Sequence, residues 1–408
     1  MLAGHLFKRL MKVGTLRLID ADGKLHEFSG APGPSITVRL HDRALHNRLF
    51  WNPRLHAGEA YMDETLTIED GTVYDFLDLV GANVYLMDNT WLLRSYTRLA
   101  CLWRPVTQHN PVGRARHNVA HHYDLSDELF DLFLDADRQY SCGYFTSPND
   151  SLDQAQLNKK RHIAAKLRLE PGCKVLDIGC GWGGLGIYLA QTANADVTGV
   201  TLSSEQQKYA EQQAKNLGLS DRVRFRLRDY REETEVYDRI VSVGMFEHVG
   251  VKHYLEFFKK VGELLKEDGV ALLHTIARFD GPALTNPWFR KYIFPGGYSP
   301  SLSEIFRPIE RTGLRVTDIE ILRHHYAETL KRWSRNFQAN HAKVVEIYDE
   351  RFCRMWEYYL AAAEVGFRRQ DLMVAQIQLT RKQDAVPLTR DYIHEWERTH
   401  WSDPVSAG

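Results

Sequence analysis

Two acidic residues directly follow predicted buried strands, where a carboxylate is either satisfied by the fold or part of a site. Asp177 precedes the glycine-rich turn in "VLDIGCGWGG", and Glu247 lies in "GMFEHVG" after the apolar run "RIVSV". His248 comes immediately after Glu247. Because an ionised carboxylate is costly to bury without a partner, both positions are candidates for binding or acid–base chemistry.

The glycine-rich turn predicts a nucleotide-type site. Gly179, Gly181 and Gly184 form a G-x-G-x-x-G pattern between a predicted strand and a predicted helix. Glycines there permit a tight turn and the close approach of a ligand to the backbone, and the helix N-terminus favours an anionic group. By itself the pattern is equally typical of nicotinamide dinucleotide enzymes.

The ends of the next two strands favour a different ligand. The second strand ends in "GVTLSSEQ", without the acid that usually holds a ribose diol, so Thr201, Ser203 and Gln206 would serve instead. Asp229, in "RDY" after the third strand, can accept a hydrogen bond from an adenine amino group, while Tyr230 can lie against the ring. Together, D-x-G-x-G and D-Y indicate S-adenosylmethionine (SAM), with a nicotinamide enzyme as the alternative.

Further groups are expected at the same edge, because ligands of open α/β sheets bind beyond the carboxyl ends of the strands. His274 interrupts the apolar strand "ALLHTIA" and is either a hydrogen-bonded core residue or part of the site. A Glu/His/Cys set could also bind zinc, but the five scattered cysteines have no C-x-x-C spacing, so no metal site is predicted.

Strand–helix alternation from about residue 120 predicts the framework that carries these residues. It indicates an α/β fold of the Rossmann-like, class I SAM-dependent methyltransferase type, with a doubly wound, mostly parallel sheet. The residues before about 90 give patterns typical of a small α+β domain. The predicted divisions are a lipid-facing N-terminal domain at 1–103, a linker at 104–117, a catalytic domain with lid and acyl-binding insertions at 118–382, and a polar, loosely held tail at 383–408.

Composition argues against several classes of protein. A formal net charge of −1 over 408 residues disfavours a globally basic nucleic-acid binder. No apolar run approaches the length of a membrane span, and the cysteine pattern suits a reducing cytoplasm. The basic N-terminus "MLAGHLFKRLMKVG" is either the first helix of its domain or a segment that rests on a membrane. Residues 89–123 hold five arginines and no acid. They are either a solvated connector or a cationic surface that meets phosphate head groups.

Several motifs together resemble the cyclopropane-fatty-acyl-phospholipid synthase family, which includes the mycolic acid methyltransferases. In order along residues 115–382 they are "HYDLSDELF", "YSCGYF", "VLDIGCGWGG", "GVTLSSEQ", "GMFEHVG", "LLHTI", "YIFPGGYSPSL" and "HHYAETLKRW". The small N-terminal domain is more similar to the phospholipid branch of the family. The resemblance implies that the methyl group of SAM is added across the cis double bond of an unsaturated phospholipid acyl chain and closed to a cyclopropane.

The same resemblance implies roles for individual residues. A bound bicarbonate ion would take the proton, oriented by Glu247. The residues implied to hold that ion are Cys142, Glu247, His274, the Ile276 backbone and Tyr326. The residues implied or predicted to contact SAM are Tyr140, Ser141, Asp177, Gly179, Gly181, Thr201, Leu202, Gln206, Asp229 and Tyr230, the last standing where the mycolic acid branch has tryptophan. His248 is expected to be structural.

The implied chemistry suits these residue types. Because an alkene needs no base before methyl transfer, the sulfonium is the electrophile and the protein supplies alignment. Transfer leaves a carbocation that must be kept from water and that aromatic faces can stabilise. The candidate rings are Tyr140, Tyr144, Phe145, Trp288, Tyr292 and Phe294.

Other readings of the same motifs stay open. They are a methyl-branched or methylene fatty-acyl product, methylation of a small amine or phenol, and a non-catalytic lipid-binding protein. The expected partners are phospholipid acyl chains and the inner face of the membrane, approached peripherally from the cytoplasm, with no nucleic acid. A homodimer is a candidate assembly.

Overall fold

A computed structural model describes residues 2–87 and 125–400 and divides into two compact units. The first unit comprises residues 1–104, 283–295 and 330–372, and the second comprises 105–282, 296–329 and 373–408. The predicted linker at 104–117 and the arginine-rich window at 89–123 lie outside the described residues. Within the described ranges, none of the helices is both long and apolar enough to cross a bilayer.

The strands and helices are numbered in chain order. The strands are β1 Val13–Ile19, β2 Leu25–Ser29, β3 Ala31–Leu40, β4 Leu66–Asp70, β5 Lys174–Ile178, β6 Asp196–Thr201, β7 Val223–Leu227, β8 Tyr237–Val243, β9 Leu265–Arg278, β10 Arg315–Leu322 and β11 Leu372–Thr380. The helices are α1 Leu2–Leu10, α2 Leu45–Trp51, α3 Pro53–Met62, α4 Val73–Met87, α5 Asp127–Phe133, α6 Leu152–Leu167, α7 Gly184–Ala193, α8 Ser204–Asn216, α9 Tyr254–Leu264, α10 Pro287–Tyr292, α11 Leu302–Ile309, α12 His325–Ala339, α13 His341–Ile347, α14 Glu350–Arg369 and α15 Asp391–Thr399.

The N-terminal strands of the first unit form a four-stranded sheet of order β2-β1-β3-β4. The predicted hairpin at "ADG" joins β1 to antiparallel β2, and Gly23 adopts the left-handed backbone that such a tight turn requires (φ 80°). On α1, Phe7 and Leu10 are buried in the core of this domain with Leu16 and Leu79. The structure thus shows a helix whose Phe7 and Leu10 belong to the domain's own core, and contact of this segment with a membrane stays a prediction.

Two later segments of the chain also belong to the first unit. Helix α14 packs on α3 and α4, and the hydroxyl of Tyr61 donates to Glu357 at 2.8 Å. Trp288 on α10 is fully buried, and its ring lies so close to Gly58 that a Cβ there would come within 2.6 Å of it. Residues 283–295 and 330–372 thus pack with the N-terminal domain, whereas the predicted division assigned them to the catalytic domain.

The second unit is built on a seven-stranded sheet of order β10-β11-β9-β8-β5-β6-β7. Strands β5 to β9 pair in parallel, and β10 pairs antiparallel with β11, so the predicted doubly wound, mostly parallel sheet is confirmed. Val175 packs with Ile163 in one apolar cluster, while its neighbour Leu176 packs with Phe246 in another. Successive residues of β5 thus pack on opposite faces of the sheet, and both faces are buried, as is typical of a parallel sheet with helices on each side.

The C-terminal residues are more ordered than the sequence predicts. Helix α15 packs on α6: Ile393 is 2% exposed, and Glu397 Oε1 lies 2.6 Å from Nδ1 of the buried His162. The predicted loosely held tail after residue 382 is therefore wrong for residues 391–399. A polar nine-residue helix carries a weak local signal, and its partner on α6 lies more than 200 positions away.

Two substitutions test whether the C-terminal residues are packed, by comparing a buried side chain with an exposed one. Replacing Ile393 with alanine is expected to lower the free energy of unfolding by about 2–4 kcal/mol, because it removes buried methyl groups. Leu388, which is fully exposed, serves as the matched control, and its replacement with alanine should change the free energy by less than about 0.5 kcal/mol. Urea unfolding monitored by tryptophan fluorescence measures both, and equal effects would contradict the packed tail.

Candidate functional site

One cleft lies at the carboxyl edge of the parallel strands in the second unit. It is lined by the loops after β5, β6, β7 and β8, and by residues 138–141. All ten predicted SAM contacts line it: Tyr140, Ser141, Asp177, Gly179, Gly181, Thr201, Leu202, Gln206, Asp229 and Tyr230. The topology therefore brings together residues that are spread over 90 positions, because parallel strands end at the same edge.

The turn after β5 depends on three glycines with left-handed backbones. Gly179, Gly181 and Gly183 have φ of 83°, 55° and 88°. A Cβ on Gly183 would lie 2.6 Å from the ring of Phe225, whereas a Cβ on Gly181 would meet nothing within 4 Å. The sequence pattern emphasised Gly184, which begins α7, but Gly183 caps that helix and carries the conformational requirement.

Arg231 fixes the carboxylate at the β7 end of the cleft. Its guanidinium donates to both oxygens of Asp229, at 2.9 and 2.7 Å, and its backbone N–H donates to one of them at 3.0 Å. Tyr230 packs its ring edge-on against Phe257 and is almost fully buried. Both oxygens of the Asp229 carboxylate are thus held in a fixed orientation at the edge of the cleft, where the sequence predicts contact with an adenine amino group. The sequence analysis missed Arg231.

The end of β6 presents a short hydrogen-bonded chain. The Thr201 hydroxyl donates to Gln206 Oε1 at 3.0 Å and accepts from the backbone N–H of Ser203 at 3.2 Å. This leaves the side-chain NH₂ of Gln206 as the donor that it can offer to a ribose hydroxyl.

Asp177 is a buried acid whose carboxylate is incompletely satisfied. It is 1% exposed, and its Oδ2 has no hydrogen-bond partner among the described residues. Burial raises the pKa of Asp177 to about 7, and the positive charge of Lys159 opposes that rise only in part. The group can therefore accept a hydrogen bond from a ligand without a protein donor having to be displaced.

Glu247 follows β8, and His274 lies on the neighbouring strand β9, opposite Val243 at the end of β8. Oε1 of Glu247 accepts from the backbone N–H of Ile276 at 2.5 Å, and its buried Oε2 has no partner among the described residues. Burial raises the pKa of Glu247 and lowers that of His274 well below its usual value. His274 Nδ1 lies 3.2 Å from Nε2 of Gln376, so a neutral imidazole accepting from that amide fits the geometry.

Cys142 and Tyr326 do not line the cleft, although Cys142 directly follows Ser141, which does. The Cys142 thiol is fully buried, burial raises its pKa so that it stays protonated, and its Sγ donates to the Gly143 carbonyl at 3.3 Å. The next residue, Gly143, donates its N–H to the hydroxyl of Thr329 at 3.0 Å, one turn along α12 from Tyr326. The backbone N–H of Ile276 donates to Glu247, and the place of the Ile276 backbone in the ion site that the family resemblance implies stays a prediction.

The structural role expected for His248 stays a prediction. The residue lines the cleft, and burial lowers its pKa to about 4, so its imidazole is neutral. No group of three or more His, Cys, Asp or Glu side chains within residues 2–87 and 125–400 is arranged to hold a metal ion.

The proposed aromatic wall is only partly at the cleft. Tyr140 lines it and packs against Phe130, with ring centroids 5.5 Å apart. Tyr144 instead stacks between His162 and His325, at 4.1 and 5.0 Å, in a polar cluster. Phe145 lies beside His325, with ring centroids 6.1 Å apart. The other three candidate rings contact aromatic side chains of the first unit: Trp288, Tyr292 and Phe294.

This chain is similar to several known proteins. The family model for mycolic acid cyclopropane synthetase matches residues 111–377, more than half of the chain. Cyclopropane-fatty-acyl-phospholipid synthase of Escherichia coli K12 is 43% identical over 260 residues, covering 64% of this chain and 66% of that protein, just under two thirds of its length. A probable fatty acid methyltransferase of Pseudomonas putida is 34% identical over 375 residues, covering 89% of this chain and 91% of that protein.

A solved structure shares the fold of the second unit's region. The mycolic acid cyclopropane synthase CmaA1, complexed with SAH and CTAB, is 34% identical and superposes with a TM-score of 0.62. The match covers 67% of this chain and 99% of that one.

The unsatisfied carboxylate of Asp177 predicts a stability cost that depends on pH. Its folded-state pKa of about 7 lies above the ordinary 3.8, so the ligand-free protein loses stability as the pH rises from about 4 to about 7. Asp177→Asn has no charge to bury. Its free energy of unfolding should exceed that of the native chain by about 1–3 kcal/mol at pH 8, and this difference should shrink toward zero below pH 4. Urea unfolding across this range measures the difference, and a gain that does not vary with pH would contradict the assignment.

Proposed function

The chain belongs to the mycolic acid cyclopropane synthetase family, and we propose that it transfers a methylene group from SAM to the cis double bond of unsaturated phospholipid acyl chains, forming cyclopropane fatty acids. The observation that carries the proposal is the cleft, in which all ten predicted SAM contacts lie together. Glu247, on the turn between two cleft residues, adds a buried acid beside it.

The cleft residues bind and align the methyl donor. Asp229 and Tyr230 would hold adenine at the β7 end, and Thr201 with Gln206 would hold the ribose beside β6. Strand order then directs the other end of SAM toward β5 and β8, near Ser141 and the glycine turn. Bound SAM supplies an electrophilic methyl group, so alignment with the alkene is the main contribution of the protein.

The residues around Glu247 suit the step after methyl transfer. The Cys142 thiol is held protonated, and His274 is a weak base because burial lowers its pKa. Neither group is suited to remove a proton from the new methyl group. Closing the ring requires an acceptor for that proton, and the family resemblance implies a bound bicarbonate ion in this role.

The donor set fits such an ion. Cys142 and the Tyr326 hydroxyl are candidate donors to its oxygens, and Glu247 Oε2 is a buried acceptor without a partner among the described residues. An oxyanion that also carries an O–H matches that combination of donors and acceptor. Ile276 would act indirectly, by holding Glu247 in place.

The first unit offers a surface that suits an anionic membrane. Trp51 is 79% exposed at the end of α2, with Arg48 and Arg54 exposed on either side of it in the chain. Helix α1, which packs beside α2, adds exposed Lys8 and Arg9. Exposed tryptophan and arginine favour the interface of an anionic bilayer, which supports peripheral binding at the cytoplasmic face. The homodimer stays a prediction.

One alternative product has specific support. The Pseudomonas putida relative, a probable fatty acid methyltransferase, matches over 91% of its length, including the N-terminal region. A methylene product would arise from the same carbocation and the same alignment of SAM with the alkene, by loss of a proton without ring closure. A saturated methyl-branched product would in addition need a hydride donor to reduce that intermediate.

The function is tested by incubating the protein with isotopically labelled SAM and, in parallel samples, vesicles of unsaturated anionic phospholipid or free unsaturated fatty acid. Mass spectrometry and NMR then characterise the acyl chains. We expect a mass gain of one CH₂ and cyclopropane ring protons. Olefinic or branched-methyl signals would favour the alternative product. Modification of free unsaturated fatty acid but not of vesicles would overturn the phospholipid assignment, and no label transfer to either would overturn the activity.

Glu247 is the residue that best separates chemistry from binding. Glu247→Gln keeps the oxygen that accepts from Ile276 but replaces the free acceptor with a donor. Turnover at saturating SAM should fall by roughly 10²–10⁴-fold, the range for a lost acid–base group. Affinity for S-adenosylhomocysteine, measured by calorimetry, should stay within about twofold. Weakened binding with normal turnover would show that Glu247 belongs to the SAM site instead.

A further inference from the structure

We propose that Lys159 is a positioning residue of the cleft, whose ammonium group fixes the Ser141 hydroxyl as a hydrogen-bond donor toward the carboxylate at the amino-acid end of SAM. The inference rests on the proposed function. It concerns a residue outside every motif that the sequence analysis used, because a lysine on a polar helix is typical of a solvated face.

Lys159 is buried in a way that calls for an explanation. It is 0% exposed on α6, and its Nζ donates to Ser141 Oγ and to Gln139 Oε1, each at 2.7 Å. Both acceptors are neutral, and no carboxylate of the described residues forms an ion pair with Lys159. By contrast, Lys160 pairs with Asp137 at 2.6 Å, and Lys166 pairs with Glu320. A buried ammonium without a direct counter-ion is costly unless something else uses its charge.

The hydrogen bond to Ser141 determines what the cleft presents. An ammonium group can only donate, so Ser141 Oγ must accept from Lys159. The hydroxyl hydrogen of Ser141 is then directed elsewhere, and Ser141 lines the cleft. Because the donor to Ser141 is charged, the hydroxyl is polarised and becomes a stronger donor itself. Such a donor favours an anionic acceptor.

Ser141 lies at the end of the cleft opposite the predicted adenine pocket. Its Cβ is 3.9 Å from where a Cβ on Gly244 would stand, which places it at the end of β8. Asp229 follows β7, three strands away in the order β8-β5-β6-β7, or roughly 14 Å at the usual strand spacing. The adenosine and the amino acid form opposite ends of SAM. With adenine near Asp229, the carboxylate therefore falls at the Ser141 end.

The surroundings of Lys159 make its charge sensitive to pH. The groups that face it are Asp135, Asp137, Lys160, Cys142, Asp177 and His274. Burial lowers the pKa of Lys159 to about 8. The ammonium is thus present below about pH 8 and lost above it, so the affinity for a carboxylate ligand should fall as the pH rises through that value.

Two nucleosides distinguish this role from simple support of the fold. S-Adenosylhomocysteine carries the amino-acid end, whereas 5′-methylthioadenosine lacks it. Lys159→Met should weaken S-adenosylhomocysteine binding by about ten- to a hundredfold in calorimetry, the range for a lost charged hydrogen bond, and leave methylthioadenosine within twofold. Lys166→Met, which removes an equally buried lysine from the same helix, is the matched control and should change neither affinity.

A double variant tests whether Lys159 acts through Ser141. If it does, Ser141→Ala with Lys159→Met should bind S-adenosylhomocysteine about as weakly as Ser141→Ala alone. Additive losses, an equal loss for both nucleosides, or unchanged affinity in Lys159→Met would each overturn the inference. Should Lys159→Met fail to fold, Lys159→Gln and the pH dependence of the native protein near pH 8 give the same test. A native protein that binds neither nucleoside would overturn the proposed function itself.

Discussion

The cost of burying charge at one edge of a parallel sheet is the constraint on which the site depends. Asp177 lies near the end of β5 and Glu247 follows the neighbouring strand β8, and each keeps one buried carboxylate oxygen without a partner among the described residues. Lys159 adds a buried ammonium bonded only to neutral oxygens. Such groups are unfavourable in a closed core. They are consistent with a cleft whose polar atoms are completed by a ligand.

The same burial sets the protonation states of the ionisable side chains at and near the cleft, and these states suit methyl transfer to an alkene. Burial keeps Cys142 a thiol and His248 and His274 neutral, and it makes the carboxylates of Asp177 and Glu247 stronger bases than usual. Ile276 and Arg231 hold Glu247 and Asp229 in place through short hydrogen bonds. Holding these side chains in place restricts their motion. The buried polar groups also lower the stability of the protein locally, and the apolar clusters on both faces of the sheet must offset that loss.

Much of the framework could be predicted because its signals are local. Strand β5, its glycine turn and helix α7 follow one another within twenty residues, and the periodicity and the glycines specify each of them. The predicted SAM contacts lie together because parallel strands end at one edge. The role of Gly183 was missed, since its need for glycine comes from Phe225, a contact that no spacing rule reveals. Lys159 was missed because its helix has no clear apolar stripe.

Sequence alone therefore determined the order of strands and helices, the turn chemistry and the family to which the motifs are similar. Those features depend on backbone preferences and side-chain patterns within a few residues. Only the tertiary structure decided which buried groups are paired: Ser141 with Lys159, Glu247 with the Ile276 N–H, and His162 with Glu397. The partners are 18, 29 and 235 positions apart, and such pairings arise from how the chain packs rather than from any local pattern.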